Sequence, residues 1–254
     1  MHAFSLVHGL AGLLAASCAA AQQLQTINNF GSNPTGLTMQ VHVPANLRPS
    51  PAVILALHGC GGNGQGYARQ ADYTTQASSR NYIVIYPSSR RDFNCWDVAT
   101  PASLTHDGGG DSTGLANMIR HTLTAYVAAP ARVFVTGTSS GCMMTNVMSA
   151  AYPDLAWAAR ARNMFPGYAG AYPRFQTLHG TADTLVRIPN LDQQLRQWAA
   201  VKGLSLTRNN TNTPQSGYTQ IVYGDGTQLV GYSAQGVGHT VPVNVGLDLR
   251  WFGL

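Results

Sequence analysis

Short apolar runs that stop at glycine-rich or polar loops alternate along this chain with stretches whose apolar residues recur every three to four positions. Val53-Ile54-Leu55-Ala56-Leu57 is rich in β-branched residues and ends in His58-Gly59-Cys60-Gly61-Gly62, which predicts a buried strand followed by a glycine loop. Ile83-Val84-Ile85-Tyr86 and Val133-Phe134-Val135 predict two more strands. Between them, Leu115, Met118, Ile119, Thr122, Leu123 and Tyr126 lie at helical spacing behind Asp111-Ser112, read as an N-cap. Strand, helix, strand, helix is the order of an α/β fold with a mostly parallel sheet and helices on both faces.

Met143 to Ala151 continues as a helix that stops before Pro153, and Trp157 to Arg162 predicts another short one. Arg174 to Leu178 reads as a strand that delivers His179-Gly180-Thr181-Ala182-Asp183 to its C-terminal end, where parallel sheets gather ligands and catalytic groups. Leu191, Leu195 and Trp198 mark the apolar face of the next helix, and Gly224-Asp225-Gly226 joins Tyr218–Tyr223 to Leu229–Tyr232 as a hairpin. There are no internal repeats.

The chemistry concentrates after the third strand. Gly137-Thr138-Ser139-Ser140-Gly141 sits between a strand and a helix, the setting of a nucleophile elbow, in which two glycines let the backbones close up and the central serine projects its hydroxyl. A serine needs a base at neutral pH, and among the eight histidines His239, in Gly236-Val237-Gly238-His239-Thr240, follows both Ser139 and Asp183 in the chain. Serine, acid, histidine is the order of the α/β-hydrolase fold. Asp183 and His239 each have a plainer explanation, as a helix cap and a loop histidine. Their joint placement at strand ends favours a triad of Ser139, Asp183 and His239. The amides of Ser140 and Cys60 are the candidate oxyanion donors.

Composition narrows the setting. The 254 residues suffice for one large domain, expected over 22–254. Residues 1–21 carry an apolar run from Leu10 to Leu14 and end in Ala19-Ala20-Ala21, the form of a signal peptide, so export is expected. No other run is long enough to span a membrane. Loss of Cys18 with the signal leaves Cys60, Cys95 and Cys142, with Cys60 and Cys95 expected to pair and Cys142 to stay free and buried beside the elbow. Asn209-Asn210-Thr211 is a glycosylation sequon in what reads as a polar loop. Fifteen basic against ten acidic residues give +5, but the charges are scattered, which argues against nucleic acid as a partner. Cysteine and histidine spacings offer no metal site, and no cofactor is expected.

Several segments carry a resemblance: Asn29 to Thr35, Cys95-Trp96-Asp97-Val98, Leu104 to Ser112, Val135 to Gly141, His179 to Asp183 and Gly238 to Pro242. Through them the chain resembles fungal acetylxylan esterases of carbohydrate esterase family one, relatives of feruloyl esterases and secreted polyhydroxybutyrate depolymerases. The resemblance implies a secreted, monomeric serine esterase acting on acetylated xylan, with Ser139, Asp183 and His239 matching the family triad. Feruloyl ester hydrolysis is the alternative within the same mechanism, and a non-catalytic carbohydrate-binding remnant the alternative outside it. Trp96, Tyr67 and Trp157 are candidate faces for sugar rings, and Trp96, beyond a strand end near the Cys60 loop, is the choice among them.

One departure stands out. In the family, the helix after the nucleophile leads into another core strand, whereas here Tyr152-Pro153-Asp154-Leu155 runs almost directly into Ala156-Trp157. The absent strand belongs between the elbow strand and the acid-bearing strand. Its loss is expected either to leave a gap in the sheet or to draw the neighbours together, and a displacement of Asp183 by about 1 Å is enough to impair catalysis.

Overall fold

The computed structural model describes residues 24–152, 170–172 and 174–254. Its strands are β1 (Gln25–Ile27), β2 (Thr38–His42), β3 (Ala52–Leu57), β4 (Tyr82–Ser88), β5 (Val133–Gly137), β6 (Phe175–Gly180), β7 (Leu206–Thr211), β8 (Tyr218–Tyr223) and β9 (Leu229–Ala234). Among the described residues they form two sheets, ordered β1-β2-β4-β3-β5 and β6-β9-β8-β7. The parallel pairs are β3 with β4, β3 with β5 and β6 with β9. Antiparallel pairs complete both flanks, so the sheets are mixed around a parallel centre.

The central strand β3 is apolar and buried at every position because both its faces are covered. Val53, Leu55 and Leu57 of β3 point into a core shared with α4 (Asp111–Ala125) and α5 (Ser140–Ala151), through Leu115, Met118, Met144 and Met148. Ala52, Ile54 and Ala56 point the other way, into a core made with α1 (Gly64–Ala71) and α7 (Val245–Phe252). Short helices α2 (Ala77–Arg80) and α3 (Pro101–Leu104) complete the layers around the first sheet. On the second sheet, α6 (Pro189–Lys202) buries Leu191, Leu195 and Trp198, and the Trp198 ring stacks on Phe175 of β6 at 4.4 Å.

Several expectations need correction. The N-cap of α4 is Gly110, and Asp111 is the first helical residue; its fully buried carboxylate accepts the Asp97 amide instead of capping its own helix. Asn209 lies in an exposed edge strand, β7, and not in a loop. Cys142 is free but only half-buried. The signal peptide over 1–21, the helix over 157–162 and the break after residue 155 lie outside the described residues.

The split between the sheets falls between β5 and β6. Neither edge has a ladder partner there among the described residues, and a cavity of about 140 Å³ separates them, with Val135 and Thr136 on one wall and Gln176 and Thr177 on the other. Among the described residues the two edges are not closed up on each other.

Candidate active site

At the end of β5 the chain turns into α5 so tightly that side chains are excluded from two positions. A Cβ on Gly137 would come within 2.5 Å of the Gly141 carbonyl carbon, and one on Gly141 would overlap the Leu57 carbonyl oxygen. Between them Ser139 is held at φ +55°, ψ −120°, a conformation that costs an L-residue roughly 1–3 kcal/mol. That strain lifts Oγ away from the helix to lie 2.8 Å from His239 Nε2.

Parallel pairing of β6 with β9 brings their C-terminal ends to one edge, so the loops carrying Asp183 and His239 emerge side by side. They are tied by the Thr181 amide to the Ala234 carbonyl and by the Ala182 amide to the Val237 carbonyl, both at 2.9 Å. Gly180 is required at this crossing, where a Cβ would overlap the Val237 carbonyl oxygen. His239 Nδ1 then lies 2.9 Å from Asp183 Oδ2, while Asp183 Oδ1 accepts the amides of Leu185 and Val186, each at 2.9 Å. Burial pushes the Asp183 carboxyl up, but the Val186 amide, His239 and the Leu185 amide outweigh it and hold the group below its ordinary value. An ionised Asp183 makes Nδ1 the protonated nitrogen of His239 and leaves Nε2 to accept from Ser139. His179, which sequence reasoning quoted only as part of the acid motif, also stands 3.3 Å from Asp183 Oδ2 through Nε2, and that nitrogen bonds the Val186 carbonyl at 2.6 Å.

The loop after β3 reaches the same place. A Cβ on Gly59 would lie 3.2 Å from the Ser139 Cβ, so the His58-Gly59-Cys60 backbone passes directly over the serine. Neither the Cys60 amide nor the Ser140 amide donates to an acceptor among the described residues, which leaves both open to an incoming oxygen. Cys60 is bonded to Cys95, and the Gly61 amide donates to the Phe93 carbonyl at 2.5 Å, so the loop after β4 clamps the loop after β3.

Trp96 does not offer a face to a sugar. It is 3% exposed, packs against the His58 ring at 4.8 Å and donates from Nε1 to the His58 carbonyl at 2.8 Å. The indole is a buried support for the loop, satisfied at its one polar atom. His58 is likewise internal: it receives the Ser89 amide on Nε2, and burial lowers its basicity. Tyr67 is 2% exposed with its hydroxyl 2.9 Å from Thr138 Oγ1, and Trp157 lies outside the described residues. No group of three or more metal-ligating side chains is found among the described residues.

Residues 37–169 match the family described as esterase PHB depolymerase. Feruloyl esterase B of Talaromyces stipitatus is 42% identical over 292 positions, spanning 99% of this chain and 81% of that protein. The chain belongs to the esterase PHB depolymerase family. Acetylxylan esterase A of Aspergillus ficuum is 38% identical, spanning 98% of this chain and 94% of that one. Among solved structures, acetyl xylan esterase from Aspergillus awamori superposes with a TM-score of 0.86 at 38% identity, covering 91% of this chain and 99% of the other. The fold is that of the α/β-hydrolase esterases.

Within this family the chain is short. The 292 aligned positions against its 254 residues leave at least 38 residues of the Talaromyces protein without a counterpart here. The three loops that carry Ser139, Asp183 and His239 nevertheless meet at hydrogen-bonding distance. Beside them opens a cleft of about 500 Å³, walled by Met143 and Val147 of α5, Gln194 and Trp198 of α6, and Leu104.

Proposed function

We propose that this chain is a serine esterase that removes acetyl groups from xylan. The observation that carries the reading is the relay from Ser139 Oγ through His239 to Asp183, 2.8 and 2.9 Å long, beside two unengaged amides at a strained elbow. Ser139 gives its proton to His239 Nε2 as Oγ attacks the acetyl carbonyl. The negative charge that develops on the carbonyl oxygen is met by the Cys60 and Ser140 amides, each well-placed donor worth roughly 3 kcal/mol in the transition state. Collapse expels the sugar hydroxyl, which takes the proton from His239, and leaves an acetyl-serine. Water, deprotonated by His239, then attacks the ester; acetate leaves and Ser139 recovers its proton. Asp183 stabilises the imidazolium in both halves.

Acetylated xylan as substrate rests on the acetylxylan esterases at 38–39% identity. The roomy cleft beside Ser139 and the 42% identical feruloyl esterase B favour a second reading, in which the acyl group is aromatic. The chain is read as an exported monomer that loses residues 1–21 and carries a glycan on the exposed Asn209. Acetate and ferulate release from acetylated and feruloylated xylooligosaccharides separates the two acyl readings. Labelling by a fluorophosphonate, abolished in Ser139→Ala, tests the nucleophile. Folded protein that binds xylan but neither labels nor hydrolyses any ester is the result that rejects both in favour of a binding remnant.

A further inference from the structure

Beneath the gap between β5 and β6 runs a chain of side-chain hydrogen bonds to which ester hydrolysis, as laid out above, assigns no task. The Tyr73 hydroxyl donates to Asp248 Oδ2 at 2.5 Å and lies 3.3 Å from Thr136 Oγ1, while Gln176 Nε2 donates to Asp248 Oδ1 at 3.0 Å. Thr136 belongs to β5 and Gln176 to β6, whereas Tyr73 follows α1 and Asp248 lies in α7. Four side chains thus join two strands whose facing edges share no backbone ladder among the described residues.

The arrangement is enclosed. Tyr73 is fully buried, Gln176 Oε1 is buried without a partner, and Asp248, itself half-buried, borders the cavity of about 140 Å³ between the sheets. The cavity's described lining contains no lysine or arginine. The titratable groups that face Asp248 are Tyr73, Tyr67 from α1 and Tyr232 from β9, with Cys142 of α5 and His239 farther round the cavity wall. Both carboxylate oxygens of Asp248 are engaged by neutral donors, so the group is held by geometry and not by an opposite charge.

The ends of this chain lead to the catalytic relay. Three residues beyond Thr136 is Ser139, and β6 leads through Gly180 to Asp183. A backbone ladder would normally fix the separation of two such strands to a few tenths of an ångström. Among the described residues that separation is left to side chains, and a misplacement of about 1 Å at the reacting groups costs roughly a hundredfold in rate.

We propose that Asp248 is a positioning residue for the esterase site, the centre of a Thr136–Tyr73–Asp248–Gln176 strut that sets the distance between the serine-bearing and acid-bearing strands. This rests on the reading of Ser139 and Asp183 as nucleophile and acid. The test compares Asp248→Ala, Asp248→Asn and Gln176→Ala with the parent chain, measuring kcat and KM on 4-nitrophenyl acetate. The downfield NMR resonance of the His239 Nδ1 proton bound to Asp183 is recorded in parallel. The strut predicts that both alanine variants lose about ten- to a hundredfold in kcat with KM within threefold, and lose or shift the proton resonance. Asp248→Asn is neutral but can still accept from Gln176 and donate to the Tyr73 hydroxyl, so it returns kcat to within threefold. Parental kcat and an unshifted resonance in folded Asp248→Ala overturn the proposal, as does equal impairment of Ala and Asn, which would make the charge and not the span the operative property. Should Asp248→Ala fail to melt cooperatively, Gln176→Ala decides by the same two readouts. If the parent chain hydrolyses no ester, the functional reading fails, and the resonance alone still judges the strut: its survival unchanged in Gln176→Ala overturns it.

Discussion

Asp248→Asn should stabilise the protein above pH 6 and change little below pH 4. Burial raises the Asp248 carboxyl from 3.8 to about 6, against the lowering effect of its bonds from Tyr73 and Gln176. A raised carboxyl means that the folded state holds its proton more tightly than the unfolded chain does. Stability from this group is therefore full below the unfolded value and declines as pH rises towards 6, after which the deficit is constant. Two pH units correspond to about 3 kcal/mol, and because Asp248 is only half-buried and borders a cavity, solvent screening brings the expected figure nearer 2 kcal/mol. The amide mimics the protonated acid: Oδ1 accepts from Gln176 and Nδ2 donates to Tyr73, whose hydroxyl remains free for Thr136. At roughly 2–4 °C per kcal/mol for a domain of this size, Asp248→Asn should melt about 4–8 °C above the parent at pH 7.5 and level with it at pH 4. Thermal melts followed by far-UV circular dichroism across that range measure the difference directly, and effects of other carboxylates cancel between the two chains. Parallel Tm profiles, with no divergence between pH 4 and 6.5, would refute the argument from burial.

Asp183→Asn should leave the fold intact and lower kcat by roughly 10³–10⁴-fold, since the amide no longer enforces the Nδ1–H tautomer of His239; steady-state kinetics on 4-nitrophenyl acetate read this out. Gly141→Ala drives a methyl into the Leu57 carbonyl oxygen and should cost at least about 2 kcal/mol in denaturant titration while also erasing fluorophosphonate labelling. Trp96→Phe removes the donor to the His58 carbonyl inside the loop and should cost about 1–2 kcal/mol of stability; KM for xylooligosaccharides should stay unchanged, because the indole faces no solvent.

The sequence was most readable where burial is one-sided or complete. β3, β4, β5, α4, α5 and α6 all follow apolar runs or helical periods, and the motif loops at their ends are the ones that meet. β2 carries a weaker signal, the alternation of Met39 and Val41, which are buried, with less buried neighbours. β7 had none: Leu206–Thr211 is almost wholly exposed and exists by pairing with β8, so polar residues there look like a loop. Trp96 turns inward, and a position past a strand end says where a residue is but not which way its ring turns. The same limit hid Asp248, which on paper is one acidic residue in a C-terminal amphipathic helix. Only three-dimensional proximity brings it to Tyr73, 175 positions away. A shortening after Leu155 is an expectation of the chain alone, and nothing in the sequence says that Ser139, His239 and Asp183 still meet.

The bond between Cys60 and Cys95 would make the proposed oxyanion loop sensitive to its redox surroundings. It closes a span of 35 residues and pins the glycine loop whose amide is the proposed oxyanion donor, while Ser139, His239 and Asp183 are joined to one another by hydrogen bonds. A chain kept reduced would assemble its relay and keep the hydrogen bonds of Trp96, the Gly61 amide and Asn94 to the Cys60 loop, but would lose its covalent tie to the loop after β4. Such a molecule would own a nucleophile with a less firmly fixed receptacle for the charge it creates. Oxidation of that pair would then add the covalent tie that joins the two loops.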